Sequence, residues 1–310
     1  MNNLTIFQDH TRNLQPLPQK NPHVTTLLAV GGWNEGSRKY SDMAATSAGR
    51  KRFAQLAAEF VERYGFGGLD LDWEYPTQRE GRPQDKDNFV LLLKELRASL
   101  SAKGLELSVA VGADPNMLGV AYDAAGIAEH VDLVNLMAFD FYTAATSNIT
   151  APNAPLGSSF GAYSVERSVE QWLAAGVPAE KLVVGVPLYA RTYTLADPAR
   201  HGVGAPALGP GAPGAVTQEP GYLTIYELCM IIEDESWDLS EENGIYFAYK
   251  GDQWATYEPL TEIRKKAQYV VKKGLAGVMV WPLESDDVSG VCGHGSSPLL
   301  RELNKGLGRI

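Results

Sequence analysis

The sequence predicts an α/β fold in which strand–helix units build one parallel sheet of the (β/α)-barrel kind, interrupted late by a small inserted subdomain. Three observations carry this. Short apolar runs rich in β-branched residues alternate with amphipathic helical stripes. The runs are apolar almost throughout rather than at every second position, as in strands covered on both faces. The chain of 310 residues is 45% apolar and 21% charged, enough for two ordinary domains or one large barrel.

The first strand is the run Val24 to Val30, closed by Gly31-Gly32. Phe53, Leu56, Ala57, Phe60, Val61 and Tyr64 then recur at helical spacing, with Thr46 or Ser47 as N-cap and an end near Gly65. A second strand lies within Phe66 to Glu74, and Phe89, Leu92, Leu93 and Leu96 form the next helical stripe. Strands at Leu105 to Val111 and Val131 to Ala138 precede a helix bearing Val165, Val169, Trp172 and Leu173, stopped by Gly176. A fifth strand covers Lys181 to Leu188. From Thr192 to Tyr257 the rhythm breaks: the Gly/Pro-rich stretch GVGAPALGPGAPGA leads into a helix-like segment and Tyr246-Phe247-Ala248-Tyr249. That interval is too long for a loop and reads as an insertion; its glycines lack phosphate-loop spacing and read as turns. A helix through Leu260, Ile263, Ala267, Val270 and Val271 to Gly274 and a strand at Ala276 to Trp281 close the series. Six strands result where a closed barrel has eight, and the residues ahead of Val24 are too few for two more units of about 30 residues each. The expected layout is an irregular segment 1–22, a barrel from 23–192 and 258–306, and an insertion 193–257.

Charge narrows the function. With 27 basic and 37 acidic residues, formal charge -10, a nucleic-acid partner is not expected. No uncharged apolar run reaches the roughly 18 residues of a membrane span, so no membrane partner is expected either. Cys229 and Cys292 are too few for a four-ligand zinc site, and free thiols or a pair both remain open. Asn3 and Asn148 begin Asn-x-Thr triplets, glycosylation acceptors in a secreted chain. The first twenty residues lack the basic and apolar regions of a signal peptide, the pattern of a mature, truncated or intracellular chain.

The chemistry concentrates in Gly68-Leu69-Asp70-Leu71-Asp72-Trp73-Glu74-Tyr75-Pro76. Residues two apart on a strand share a face, so Asp70, Asp72 and Glu74 form one acidic row opposite Leu69, Leu71 and Trp73. Burial and mutual repulsion raise at least one pKa in such a row, the requirement of a general acid. From spacing alone a divalent-cation site is the alternative. Asp140, Trp33, Trp281, Tyr189 and Arg191 also lie at or just past strand ends, and acids beside several aromatics are what a sugar site uses.

On these segments the chain resembles glycoside hydrolase family 18, and within it the chitinases and chitinase-like proteins of animals, insect chitinases especially. The resemblance runs from Asn21 onward through LLAVGGWNEGS (27–37), GLDLDWEYP (68–76), MAFDF (137–141), GVPLYAR (185–191), AYKGDQW (248–254) and VMVWPLESDD (279–287). It implies a TIM-type (β/α)₈ barrel, here without its first two strands, and retaining hydrolysis of β-1,4-linked N-acetylglucosamine in chitin or chito-oligosaccharides. In that scheme, an exception to the two-carboxylate mechanism, the substrate's acetamido oxygen is the nucleophile. Glu74 would be the acid/base, Asp72 would orient the acetamido group, Asp70 would share a proton with Asp72, and Asp140 would contact the acetamido group. Trp281 would floor the cleavage subsite and Trp33 stack on a neighbouring sugar, with Trp73, Tyr75, Met137, Phe139, Tyr189 and Arg191 as further substrate-binding residues, the last two on the seventh barrel strand. No metal or other cofactor is implied. The resemblance also implies a Cys229–Cys292 disulfide and hence an extracellular setting, with a monomer expected unless the open barrel edge pairs.

Three departures from the family pattern matter. Gly67 stands where an acid is usual, for which a structural cost is expected. Phe139 replaces a tyrosine whose hydroxyl donates to the acetamido oxygen, and Tyr142 also differs from the usual residue; loss of one such donor costs on the order of 10²-fold in rate. The two missing strands carry aromatic binding residues and leave open sheet edges. The rival that these departures favour is a chitinase-like lectin that binds chito-oligosaccharides with little or no turnover.

Overall fold

The computed structural model describes residues 19–157, 160–234 and 236–310. In chain order the elements are β1 (Leu27–Gly31), α1 (Arg38–Ala44), α2 (Ser47–Arg63), β2 (Gly68–Asp72), α3 (Asp85–Ser101), β3 (Glu106–Gly112), α4 (Ala124–Ala128), β4 (Leu133–Met137), α5 (Val165–Ala174) and β5 (Leu182–Pro187). Then follow β6 (Tyr189–Leu195), β7 (Ala207–Pro210), β8 (Tyr222–Thr224), α6 (Ile225–Glu233), β9 (Asp238–Glu242), β10 (Ile245–Lys250), β11 (Gln253–Tyr257), α7 (Leu260–Lys273), β12 (Gly277–Trp281) and α8 (Pro298–Gly306). The parallel sheet has the order β1-β2-β3-β4-β5-β12. This is the neighbour-to-neighbour succession of a TIM-type barrel wall, with six strands among the described residues and the insertion between the last two. Asn3 and most of the segment 1–22 fall outside the described residues.

The chain divides into two compact units. One takes in the residues up to Gly112, 116–135 and 172–181. Here β1 pairs in parallel with β2, and β2 with β3. The Gly31-Gly32 turn is dictated by close approach: Gly31 sits at φ 123, and a Cβ on it would lie 1.8 Å from the Asp72 carbonyl oxygen, while Gly32 N–H donates to that oxygen at 2.8 Å. At Gly67 the space a side chain would need is taken by Thr25, whose Cγ2 lies 2.4 Å from an added Cβ. Helix α2 starts where Thr46 caps it by accepting from Gly49 N–H. Under the sheet an aromatic file runs Tyr40, Trp73, Phe89, Tyr122 and Trp172 with successive centroids about 5.4 to 6.2 Å apart.

The other unit holds 113–115, 136–171 and 182–310. In it β5 pairs in parallel with β12, and a second, antiparallel sheet runs β7-β6-β11-β10-β9 with β8 on β6. This sheet has its own small core of Tyr193, Leu195, Ala205, Phe247 and Trp254. A larger cluster joins Val186, Leu188, Leu223, Leu228, Ile263, Leu299 and Leu303. Because β6 begins at Tyr189, the inserted sheet starts ahead of the expected boundary at 193. Tyr189 and Arg191 therefore stand on this antiparallel sheet and not on a seventh barrel strand.

Candidate active site

The acidic row is built by β2 and the residues just past it. On one face Leu69, Leu71 and Trp73 are fully buried, while Asp70 and Asp72 on the other are half-buried and Glu74 is buried at 8% exposure. Neighbouring strands decide how each acid is held. Asp70 stands opposite Ser108 in the β2–β3 register, and its Oδ1 accepts from Ser108 Oγ and from Asn135 Nδ2 at 3.0 Å. Burial pushes the Asp70 carboxyl up against those two donors. Asp72 has an Oδ1 with no hydrogen-bond partner. Burial, then Glu74 and Asp70, raise its pKa to about 7. Glu74 is bonded to the Tyr75 hydroxyl, which burial and that neighbouring carboxyl push far above the usual tyrosine range.

Behind the row, Trp73 Nε1 donates to Ser37 Oγ at 2.6 Å and Ser37 Oγ donates to the Tyr75 carbonyl at 2.8 Å. The expectation that Trp73 binds sugar is corrected by this placement. With no exposed surface, and packed between Tyr40 and Phe89, it positions the backbone of Glu74-Tyr75 from below. Trp33, in contrast, is 59% exposed beyond the end of β1. Among the described residues no three His, Cys, Asp or Glu side chains are grouped so as to hold a metal ion.

In the second unit Asp140, at φ 57, forms a two-pronged pair with Arg191: Nε to Oδ1 at 2.7 Å and Nη2 to Oδ2 at 2.6 Å. Asn153 Oδ1 accepts from the Asp140 N–H at 2.8 Å. Tyr189, buried and bonded through its hydroxyl to Asp140, has a pKa raised well above normal, by burial first and then by that carboxylate. Its ring stacks on Tyr222 at 4.8 Å, and Tyr222 Oη bonds Ser285 Oγ. Phe139 turns an edge toward Tyr189 at 6.2 Å; Met137 is half-buried at the end of β4; Trp281, ending β12, is 56% exposed. Cys229 and Cys292 form a disulfide. Asn148 is exposed, while Thr150 of its triplet is fully buried and donates to the Gly202 carbonyl.

Sequence reasoning missed Ser108, Asn135, Ser37, Asn153 and Tyr222. For the first two a signal existed, since each is the single uncharged polar residue in an otherwise apolar stretch of strand (LSVAV and LVNLM). Ser37 and Asn153 lie in irregular segments and have none.

A row of three carboxyl groups, with the pKa values of Asp70 and Asp72 raised by burial, on and just past a strand of a barrel-type sheet is the kind of equipment an acid–base hydrolase uses. Residues 2–286 match the model of glycosyl hydrolases family 18, and the chain belongs to that family. It is 39% identical to mouse chitotriosidase-1 over 310 residues, covering 96% of this chain and 66% of that protein, so it spans just under two thirds of that relative's length. The structure is similar to a Group IV chitinase of Ostrinia furnacalis (TM-score 0.95, 37% identity, 98% of this chain and 85% of that one). It is also similar to human YKL-39, described as a pseudo-chitinase with retained chitooligosaccharide binding (TM-score 0.90, 30% identity, 99% and 86%).

Proposed function

We propose that this chain hydrolyses β-1,4 linkages between N-acetylglucosamine units of chitin or chito-oligosaccharides, with retention of configuration and Glu74 as proton carrier. The observation that carries the reading is the acidic row that Glu74 ends, buried and coupled strongly enough to bring Asp72 to a pKa of about 7. In the first step Glu74 gives its proton to the glycosidic oxygen as the C1–O bond breaks, and the acetamido carbonyl oxygen of the same sugar closes onto C1. A proton kept between Asp70 and Asp72 lets Asp72 turn negative charge toward the acetamido N–H as the oxazolinium ring gains positive charge. In the second step the Glu74 carboxylate takes a proton from water, and the water oxygen attacks C1 and reopens the ring to the acetamide. Trp33, Tyr75, Met137, Phe139, Asp140, Tyr189, Arg191 and Trp281 are proposed sugar contacts. The barrel portions are proposed as the catalytic domain and the insertion as its subdomain, working without a metal and in an oxidising, extracellular setting that keeps the disulfide formed.

The test is release of a reporter group from a chitotriose glycoside. Glu74→Gln should lower the rate by about 10²-fold or more, and equal rates in the two proteins would end the catalytic assignment. One observation favours a second reading, a lectin: Phe139, edge-on to Tyr189, offers no hydroxyl to an acetamido oxygen. Calorimetry with chitotetraose decides between the two, because affinity without product favours the lectin.

A further inference from the structure

Trp33 combines two properties that rarely coincide, for its indole is 59% exposed and yet firmly held. The guanidinium carbon of Arg79 lies 3.8 Å from the ring centroid. Arg79 Nη1 donates to the Trp33 carbonyl at 2.8 Å and to the Glu74 carbonyl at 3.2 Å. One side chain thus covers a face of the indole, ties down the turn that carries it, and reaches the backbone of the buried acid.

The loop that delivers Arg79 is strained. Thr77, Arg79 and Glu80 all have left-handed backbones, at φ 68, 50 and 71, a conformation unfavourable for side-chain-bearing residues. Such a conformation persists only when its surroundings fix it. Here Gln78 N–H bonds the Tyr75 carbonyl and Gly81 N–H the Gln78 carbonyl, and Arg82 N–H bonds the fully buried Asp85 carboxylate at 2.6 Å. Arg38 pairs with Glu80 outside. An arginine fixed this firmly at an exposed position serves the group it touches, and an indole immobilised on one face offers the other to a flat apolar surface at little entropic cost. The C–H face of a pyranose ring is such a surface.

We propose that Arg79 is a positioning residue. It holds the Trp33 indole as a rigid platform for one sugar of a bound N-acetylglucosamine chain and joins that platform to the backbone of Glu74. The inference rests on the function proposed above.

Calorimetry in a Glu74→Gln background, where cleavage is slowed about 10²-fold or more, tests it with the β-1,4 pentamer chitopentaose. Adding Arg79→Met should weaken binding by about fivefold, the size of one exposed cation–π contact. Adding Trp33→Ala should weaken it at least as much, and the two together should do no worse than Trp33→Ala alone, since both remove one platform. Arg79→Lys, which keeps the cation without the planar fork, should fall between parent and Arg79→Met, and it carries the test if circular dichroism shows Arg79→Met unfolded. Unchanged affinity in the folded arginine variant, or losses that simply add in the double variant, overturns the proposal while leaving the proposed function standing. A folded Glu74→Gln protein that does not bind chitopentaose overturns the function itself, and this inference with it.

Discussion

Asp72 and Asp70 sit on the same face of one strand and are buried alike, but they are held differently, and the difference has a measurable consequence. Asp70 receives two donors from β3 and β4; Asp72 keeps an oxygen unpartnered and titrates near 7. An acid whose folded pKa lies above its unfolded value of 3.8 makes the native state bind the extra proton between those two values. The stability linked to that proton is complete below the unfolded value and is lost as pH rises through about 7. Asp72→Asn fixes the neutral form. Its melting temperature should therefore change less than the parent's between pH 4 and pH 8, and at pH 8 the variant should be the more stable by on the order of 2 kcal/mol, discounted for the solvent that reaches this side chain. A variant with the parent's pH slope would mean that Asp72 is charged throughout. The alternation of acids along β2 was legible in the sequence because charge at period two inside an apolar strand has few other causes. Which acid would be spared its donors was not, because Ser108 and Asn135 arrive from other strands.

At the scale of single elements, β2 works as a partition. Its buried face is filled by Leu69 and Leu71 and continued by Trp73 just past its end, and the indole N–H feeds the Ser37 hydroxyl that in turn holds the Tyr75 carbonyl. Trp73→Phe keeps the packing against Tyr40 and Phe89 but leaves Ser37 short of a donor, at a cost of about 1 kcal/mol. Trp73→Ala opens the core and should cost about 3–5 kcal/mol in urea unfolding. Equal losses in the two would show that the hydrogen bond, not the volume, holds this site. Helix α2 offers a milder check: Thr46→Ala removes the cap on Gly49 N–H and should cost about 1 kcal/mol. Long elements with strong patterns were legible in the sequence, down to the Thr46 cap and the left-handed Gly274 that ends α7. Helices α1, α4 and α8 and strands β7 to β9 were not, since three to nine residues hold too few turns or alternations to show a period, and their conformation is set by what they pack on.

For the molecule as a whole, the parallel strand order could be read from the succession of units, whereas the extent of the insertion could not. No local pattern marks the point at which the chain leaves the parallel sheet, and β6 follows β5 after only Leu188. What secures the insertion is partly covalent. Cys229 on α6 and Cys292 beyond β12 are 63 residues apart in sequence, and closing a loop of that length limits the unfolded chain by about 4 kcal/mol in the chain-entropy account. The same region also has a shared apolar core, in which Leu223, Ile225 and Leu228 of the insertion meet Ile263 and Ala267 of α7 and Leu299 and Leu303 of α8. The two contributions can be separated by unfolding with and without a thiol reductant. The parent should lose several kcal/mol when reduced, and a Cys229→Ser, Cys292→Ser protein should match the reduced parent and ignore the reductant. If the parent unfolds at the same denaturant concentration in both conditions, the apolar cluster alone holds the insertion in place and the disulfide adds nothing to stability.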